Sequence, residues 1–298
     1  MGNSEKAVLK TLLYSDIFSF PLTLDEVFEF LISNKKYDKD SVKRALAKLS
    51  PLIDTQDKYY CLKGRKNIIA KRIEKKRFSE KKSTIAVKFS KRLSLIPSVL
   101  FIGISGGVAA LNADKNDDID LFIITKKNTL WSTRLCVLLL LELYGARRKR
   151  NREQTKNKIC VNMLLDKSSL SFLKNRQNIY TAREIAQLVP VFDRDSAYSN
   201  FLRSNSWVKK HLANSTARQV LIQYRLDTTH RLSQKMFRLL NPLAKQIQMI
   251  RINKHKTTEE VTDTLLAFHP KDYAASTLQS YKKRVRQAEK LYNTHLNI

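Results

Sequence analysis

Three short apolar runs in the middle of the chain constrain its fold more than any other feature. They occupy residues 99–105, 119–124 and 158–165, and each has the length and the Val, Ile and Leu content of a buried β-strand. A longer apolar stretch, residues 130–144, separates the second run from the third and has the length of a helix. Strands that alternate with a helix predict a core in which helices pack on a sheet.

The composition excludes some classes of protein and favours certain partners. With 298 residues, of which 43% are apolar and 28% charged, the chain is long enough for two or three domains and too apolar to be disordered. Its 56 Lys and Arg against 27 Asp and Glu give a net charge of +29. Such a charge favours anionic partners, namely nucleic acid, nucleotides or anionic lipid.

Disulfide frameworks, zinc sites and membrane spans are not indicated. Cys61, Cys136 and Cys160 are odd in number and far apart, with no CxxC pair. No apolar run is long enough to cross a bilayer, and the first residues lack the apolar core of a signal peptide. We therefore expect a cytoplasmic protein with no membrane partner, and the sequence does not predict its oligomeric state.

Residues 1–63 are expected to form a winged-helix-like domain. Apolar residues at helical spacing predict three short helices, the second of which begins at a capping box formed by Thr23 and Glu26. After the third helix, residues 52–54 and 59–62 predict a β-hairpin. Three helices followed by a hairpin are the outline of a winged helix.

The third of these helices carries candidate contacts for nucleic acid. Lys43, Arg44 and Lys48 are expected on its exposed side, where they could meet phosphates. The alternative is that these cations are simply solvated and that the unit docks another protein.

A basic connector follows at residues 64–97. Residues 64–92 hold twelve Lys and Arg against two Glu, and apolar residues still recur among them. That recurrence predicts one or two basic helices rather than a charged linker. Their cations are candidates for a phosphate-binding face or for an ordinary solvated one.

The segment that carries chemistry joins the first two predicted strands. The first strand ends in Ser105-Gly106-Gly107, where two residues without Cβ atoms let a phosphate oxygen approach the backbone N–H groups. In the second strand Asp118 and Asp120 alternate with apolar residues, so both carboxylates project from one face. Adjacent carboxylates repel each other unless a cation lies between them, and Mg²⁺ held by one or two carboxylates and substrate phosphates is the usual arrangement.

This pattern resembles the signature of the DNA polymerase beta-like nucleotidyltransferase superfamily. In its common form, Gly-Ser-x-Ala is followed after about eight residues by Ser-Asp-Ile-Asp. The matching parts here are Gly106-Gly107-Val108-Ala109 and Asp117-Asp118-Ile119-Asp120. Flanking segments, among them Tyr14-Ser-Asp-Ile-Phe, are similar to an uncharacterised bacterial group that joins a winged-helix-like segment to this domain.

The resemblance implies an α+β fold with a small mixed-sheet nucleotidyltransferase core at residues 98–178. The winged-helix-like domain and the connector precede this core, and a C-terminal helical domain follows at residues 179–298. Helices are expected near residues 181–188, 196–212, 217–250, 258–268 and 273–291. An apolar stripe in this region is expected to belong to the core, and it consists of Met236, Leu239, Leu240, Leu243 and Ile247.

The resemblance also implies a reaction. Asp118 and Asp120 would hold Mg²⁺ or Mn²⁺, while Ser105 and the two glycines after it would cradle the triphosphate of an NTP. An acceptor hydroxyl would take the NMP and pyrophosphate would leave. The net charge favours nucleic acid as the acceptor, and protein or small-molecule acceptors stay open.

One expected element of this site is missing from the sequence. Active relatives usually place a third carboxylate on a following strand, whereas alternation in the third predicted strand puts Cys160, Asn162 and Leu164 on one face. Asn162 is the candidate for this third position, and Asp166 and Glu142 are possible replacements. The missing acid supports an alternative, a nucleotide- and nucleic-acid-binding protein with a degenerate, non-catalytic transferase site.

A basic run leads into the third predicted strand. Arg147, Arg148 and Arg150 belong to it, and they would border the cleft beside the two aspartates. There they could grip a nucleic acid or a triphosphate. The alternative is a solvated loop between helix and strand.

Overall fold

The computed structural model describes residues 1–149, 155–224, 231–254, 260–268 and 273–296. Within these ranges the protein combines helices with two β-sheets, which confirms the mixed α and β composition. Arg150, a predicted nucleic-acid contact, lies outside the described residues.

The N-terminal unit consists of three helices and a small antiparallel sheet. Its strands lie in the order β1-β3-β2, so the hairpin formed by β2 and β3 is extended by a strand from between the first two helices. The elements are α1 (Asn3–Asp16), β1 (Leu22–Thr23), α2 (Leu24–Glu29), α3 (Lys39–Lys48), β2 (Ile53–Gln56) and β3 (Tyr59–Leu62).

Side-chain caps fix where two of these helices begin. The Glu26 N–H donates to Thr23 Oγ1 at 3.3 Å and the Thr23 N–H donates to Glu26 Oε2 at 2.8 Å, which is the predicted capping box. At α3 the Ser41 N–H donates to Asp38 Oδ1 at 2.7 Å. The predicted helices and hairpin of this unit are therefore present.

The basic connector is one long helix, α4 (Ile68–Leu93). Arg72 of this helix is buried, donates to the Leu111 carbonyl at 3.0 Å and pairs with Glu26 at 2.6 Å. Its guanidinium also lies 4.1 Å from the centre of the Phe20 ring. This cation therefore joins the N-terminal unit to the loop after residue 110 and is not a solvated charge.

A seven-stranded mixed sheet forms the centre of the protein, in the order β8-β7-β4-β5-β6-β10-β9. β5 and β6 run parallel, as do β7 and β8, and the other neighbours are antiparallel. The strands are β4 (Val99–Ile104), β5 (Ile119–Thr125), β6 (Ile159–Asp166), β7 (Val189–Arg194), β8 (Ile222–Tyr224), β9 (Glu260–Val261) and β10 (Leu265–Ala267).

Helices cover both faces of this sheet. One hydrophobic core lies between the sheet and α4, α6 and α9, and a second lies between the sheet, α7, α8, α10 and the N-terminal unit. Alternation along β5 sends Leu121 and Ile123 into the first core and Phe122 and Ile124 into the second. The remaining helices are α5 (Gly106–Ala109), α6 (Leu130–Leu143), α7 (Ile179–Gln187), α8 (Ala197–Ser204), α9 (Arg231–Asn253) and α10 (Tyr273–Tyr292).

The C-terminal part of the chain is not wholly helical, contrary to prediction. β7, β8, β9 and β10 all come from beyond residue 178 and complete the central sheet, so the sheet crosses the predicted domain boundary. The helix predicted at residues 258–268 is wrong, because the described part of it forms β9 and β10. Three of these four strands have only two or three residues, too few to show an alternating pattern.

The apolar stripe of α9 is also not core. All five of the stripe residues expected in the core are exposed, with Leu239 the most accessible at 80%. The face of α9 that packs on the protein carries Phe237, Ala244 and Gln248 instead. Helical periodicity identified a face of this helix but not the direction in which that face points.

Candidate active site

β5 brings the two predicted aspartates together. Asp120 lies on the same face of the strand as Phe122, and Asp118 comes two residues before Asp120. Together with Cys160 of β6, each offers a ligand atom, and these three atoms lie within 4.8 Å of one another. Apolar Ile119 and Leu121 fill the core behind them, which fixes the strand that carries the carboxylates.

The turn after β4 lies against Asp120. The Ser105 N–H donates to the Asp120 carbonyl at 3.0 Å, and Gly106 follows with a φ of +61°. A Cβ on Gly106 would come within 2.5 Å of Asp120 Oδ2. Two features favour glycine at residue 106, namely its left-handed backbone and the close approach of the Asp120 carboxylate, which a Cβ would force to move. At Gly107 a Cβ would meet Ala113 at 3.6 Å, an ordinary contact, so a serine would fit there.

Arg148 supplies the positive charge that the two carboxylates need. Its Nε lies 2.8 Å from Asp118 Oδ2, and its Nη1 lies 3.8 Å from Cys160 Sγ. The Arg148 backbone N–H donates to the Ile159 carbonyl at 3.0 Å, which holds this residue at the start of β6. Arg148 was predicted to contact nucleic acid, and the structure places it against the aspartates.

Burial raises the pKa of both aspartates. The pKa of Asp120 rises to about 7, mainly because of burial and then because of the charges of Asp118 and Glu184. Burial also raises the pKa of Asp118, and the guanidinium of Arg148 opposes that rise. A cation bound between them would remove this penalty.

Two of these three side chains, those of Asp118 and Asp120, are suited to bind a divalent cation. Asp118 and Asp120 offer the oxygen ligands that Mg²⁺ and Mn²⁺ prefer, and Arg148 already places a positive charge beside them. Burial and the two carboxylates raise the pKa of Cys160, so it stays a thiol and donates a hydrogen bond to Asp120. A neutral thiol is a poor ligand for these hard cations.

Asn162 occupies a β-bulge rather than a regular position. The register of β6 against β5 shifts so that Leu121 faces Val161 and Phe122 faces Met163, which leaves Asn162 between them. The bulge turns Leu164 into the core on the other side of the sheet. The expectation that Leu164 shares a face with Cys160 and Asn162 is therefore wrong, because alternation does not continue through a bulge.

Neither proposed replacement for the third carboxylate reaches the site. Asp166 is buried, and its carboxylate accepts the N–H groups of Asn128 and Ser168 at 2.7 and 2.9 Å, so it orders the turns at the end of β6. Glu142 pairs with Arg147 at 3.6 Å and with Lys149. Arg147, a predicted nucleic-acid contact, is thus engaged by α6.

A third carboxylate comes from an element that sequence reasoning did not consider. Glu184 of α7 is directed towards the sheet, and burial raises its pKa to about 7. Its charge contributes to the raised pKa of Asp120, which places the two carboxylates in one electrostatic cluster. One local feature of the sequence could have indicated Glu184. It lies four residues after Tyr180, so both are on one side of a helix whose other apolar residues are buried.

A cavity of about 450 Å³ adjoins this cluster. Ser105, Phe122 and Asn162 line it from the sheet, and residues of α7, among them Glu184, and of α10 line it from the helices. The Ser105 Oγ is buried and finds no hydrogen-bond partner among the described residues. An orphaned hydroxyl at this position suits a bound ligand that accepts a hydrogen bond.

Lys82 orders the loop that leads into Asp118. This lysine of α4 is buried, and its Nζ donates to the Lys115 carbonyl at 3.1 Å, the Asp117 carbonyl at 2.6 Å and Asn157 Oδ1 at 3.0 Å. Burial lowers its pKa, and the nearby aspartates oppose that change. The cation therefore acts inside the protein, behind the site, and not as a phosphate contact on the surface.

The predicted contacts on α3 belong to the surface of the N-terminal unit. Lys43, Arg44 and Lys48 are exposed, as the helical pattern indicated. Arg44 donates to Ser41 Oγ at 3.0 Å, and Lys48 lies 3.5 Å from Glu5. They are not part of the aspartate cluster.

Comparison with protein-family models, with curated protein sequences and with solved structures found no match for this chain. Among the helices in the described ranges, none combines the length and the apolar character that crossing a bilayer requires. Any assignment of function must therefore start from the geometry of the site.

Proposed function

We propose that this protein is a metal-dependent nucleotidyltransferase that moves an NMP from an NTP to an acceptor hydroxyl. The observation that carries the proposal is the packing of Asp120 against Gly106, with Asp118 and Arg148 beside them. A turn that opens its backbone to phosphate, next to paired carboxylates on a strand, is the combination that this reaction needs.

Each residue has a role in this proposal. Asp118 and Asp120 would hold Mg²⁺ or Mn²⁺, which when bound polarises the α-phosphate and stabilises the oxygens of the attacking and leaving groups. The backbone of Gly106 and Gly107 and the free hydroxyl of Ser105 would bind phosphate oxygens. Arg148, once released by Asp118, would pair with the triphosphate.

The N-terminal unit would position a substrate or a partner. Its helices and its β1-β3-β2 sheet have the order of a winged helix, and α3 presents Lys43, Arg44 and Lys48 to solvent. Contact with nucleic acid through these cations is one use of such a unit, and docking of another protein is the other.

A second candidate function rests on a specific observation. The strand after the aspartates offers Cys160 and Asn162 where a third carboxylate is usual, and the Cys160 thiol is neutral. A site of this composition could hold a nucleotide without transferring it. The protein would then bind a nucleotide and nucleic acid with no catalysis.

Pyrophosphate release and nucleotide binding together separate the two functions. We expect the wild type to bind NTP only with Mg²⁺ or Mn²⁺ and to release pyrophosphate when acceptor is supplied, and Asp118→Ala with Asp120→Ala to lose both properties. Asp25→Ala, an exposed aspartate on α2, is the matched control. Metal-dependent binding without pyrophosphate release supports the non-catalytic protein, and absence of binding contradicts both functions.

A further inference from the structure

We propose that the cavity between the sheet and helices α7 and α10 is the acceptor site of this enzyme. The geometry points to a small acceptor that carries hydroxyl groups and no net negative charge. The inference rests on the proposed transferase function, because it assigns the second substrate of the same reaction. This acceptor differs from nucleic acid, which the net charge of the chain favours as the acceptor.

The charge of the cavity wall carries the argument. Among the described lining residues the cationic side chain is Arg176, and Glu260 neutralises it at a distance of 2.5 Å. Glu184 is the other acidic residue of the lining. The described lining therefore offers a polyanion no unpaired cation, which a neutral or cationic compound does not need.

The chemical character of the wall suits hydroxyl groups. Asn162 and Asn178 contribute amides and Thr181 a hydroxyl. Asn178 Oδ1 already accepts the Thr181 N–H at 3.1 Å, whereas the Asn162 side chain makes no hydrogen bond within the described residues. Phe122 and Phe172 supply apolar faces beside these polar groups. Alternating aromatic faces and hydrogen-bonding groups fit a compound with both C–H faces and O–H edges, such as a polyol or an aminosugar.

The size of the cavity favours a small molecule over a polymer. Its volume of about 450 Å³ falls in the range of pockets that enclose a single small ligand. Tyr273 and Ala274 at the start of α10 are among the residues that line it.

Glu184 is placed to accept the proton in the transfer step. The acceptor oxygen forms a bond to the α-phosphorus, the bond from that phosphorus to the bridging oxygen breaks, and pyrophosphate leaves with the electron pair. The hydroxyl proton goes to the Glu184 carboxylate, which lines the cavity on the side of Asp120. Besides the divalent metal ion, the step consumes only the NTP and the acceptor.

The first test uses the full-length protein and α-labelled NTP with Mg²⁺. The acceptors are RNA, DNA and the dialysable compounds of a cell extract, the last divided by ion exchange into cationic, neutral and anionic pools. We expect label in the cationic or neutral pool. Label in RNA, DNA or the anionic pool alone overturns the inference while preserving the transferase, and label in none overturns the inference as well.

Two variants tie the acceptor to this cavity. Ala274→Trp fills the space without removing a hydrogen bond of the described residues, and we expect it to keep metal-dependent NTP binding and to lose transfer. Glu184→Gln should lower kcat by about 100-fold or more, with NTP binding retained and acceptor KM changed far less. The matched control is Glu74→Gln, an exposed glutamate of α4 that does not line the cavity. If Ala274→Trp abolishes NTP binding, the cavity holds the nucleotide itself and the inference fails.

Discussion

A Cβ atom on residue 106 would lie 2.5 Å from Oδ2 of Asp120, so any side chain at this position would force the Asp120 carboxylate to move. The contact links the turn after β4 to the start of β5 and holds the candidate phosphate-binding turn beside the candidate metal-binding carboxylates. It also provides the sharpest test of the site's geometry.

Gly106→Ala should abolish nucleotide binding and destabilise the fold. The substitution places a side chain in left-handed backbone and forces Asp120 to move, and the backbone alone costs about 1–2 kcal/mol. Urea unfolding and NTP titration measure the two effects. Gly107→Ala is the control, because its Cβ would make only an ordinary contact with Ala113 at 3.6 Å. Equal losses of stability and of NTP affinity in the two variants would contradict this geometry.

Arg148→Ala should change metal and nucleotide affinity in opposite directions. Its guanidinium competes with a metal for Asp118, so its removal should tighten Mg²⁺ binding in the absence of nucleotide by about 3- to 10-fold. The same variant should bind the triphosphate more weakly, since a phosphate partner is lost. Calorimetric titration checks both, with Arg147→Ala as the control, and weaker Mg²⁺ binding by Arg148→Ala would contradict the competition.

Glu184→Gln should stabilise the protein above neutral pH. Because the folded state raises the pKa of Glu184 from 4.5 to about 7, the wild type loses stability as pH rises across that interval. The variant should therefore be more stable by about 1–3 kcal/mol near pH 8, and the difference should vanish near pH 4. Metal-free urea unfolding at both values measures it, and a variant less stable than wild type near pH 8 would contradict the burial of this charge.

Lys82→Met should weaken the fold and the metal site together. The change leaves two backbone carbonyls and the Asn157 side chain without their donor, at a cost of about 1–3 kcal/mol. Because the loop they belong to leads into Asp118, Mg²⁺ affinity should fall as well. The neighbouring exposed Lys81→Met is the matched control for unfolding and for metal titration. Unchanged Mg²⁺ affinity in Lys82→Met would show that the loop does not position Asp118.

The sequence was informative where chemistry and periodicity are local. Neighbouring residues predicted the strand that carries Asp120, the turn at Ser105 and the capping box at Thr23, and the structure has all three. Asp118 was predicted in the same strand and lies just before its first residue. Short strands such as β10 (Leu265–Ala267) are different. β10 forms because the edge of β6 offers it backbone partners, and a segment of three residues carries no sequence pattern that predicts such pairing.

Long-range geometry explains the rest of what the sequence left open. Glu184 lies 64 positions after Asp120 in the chain, and only the packing of α7 on the sheet brings the two into one cluster. The bulge at Asn162 reverses the predicted direction of Leu164, and a bulge is set by pairing with the next strand. The position of Arg148 also depends on β6, because the Arg148 backbone N–H donates to the Ile159 carbonyl.

Transfer of label from α-labelled NTP is the measurement that tests nucleotidyl transfer most directly. Wild type and the Asp118→Ala with Asp120→Ala variant would be compared with Mg²⁺ and Mn²⁺, with RNA, DNA, the dialysable extract and the protein itself as acceptors. The proposal predicts label on one acceptor class, dependence on the metal, and complete loss in the variant. Label that persists in the variant, or no label in any acceptor while metal-dependent NTP binding is intact, would contradict nucleotidyl transfer at this site.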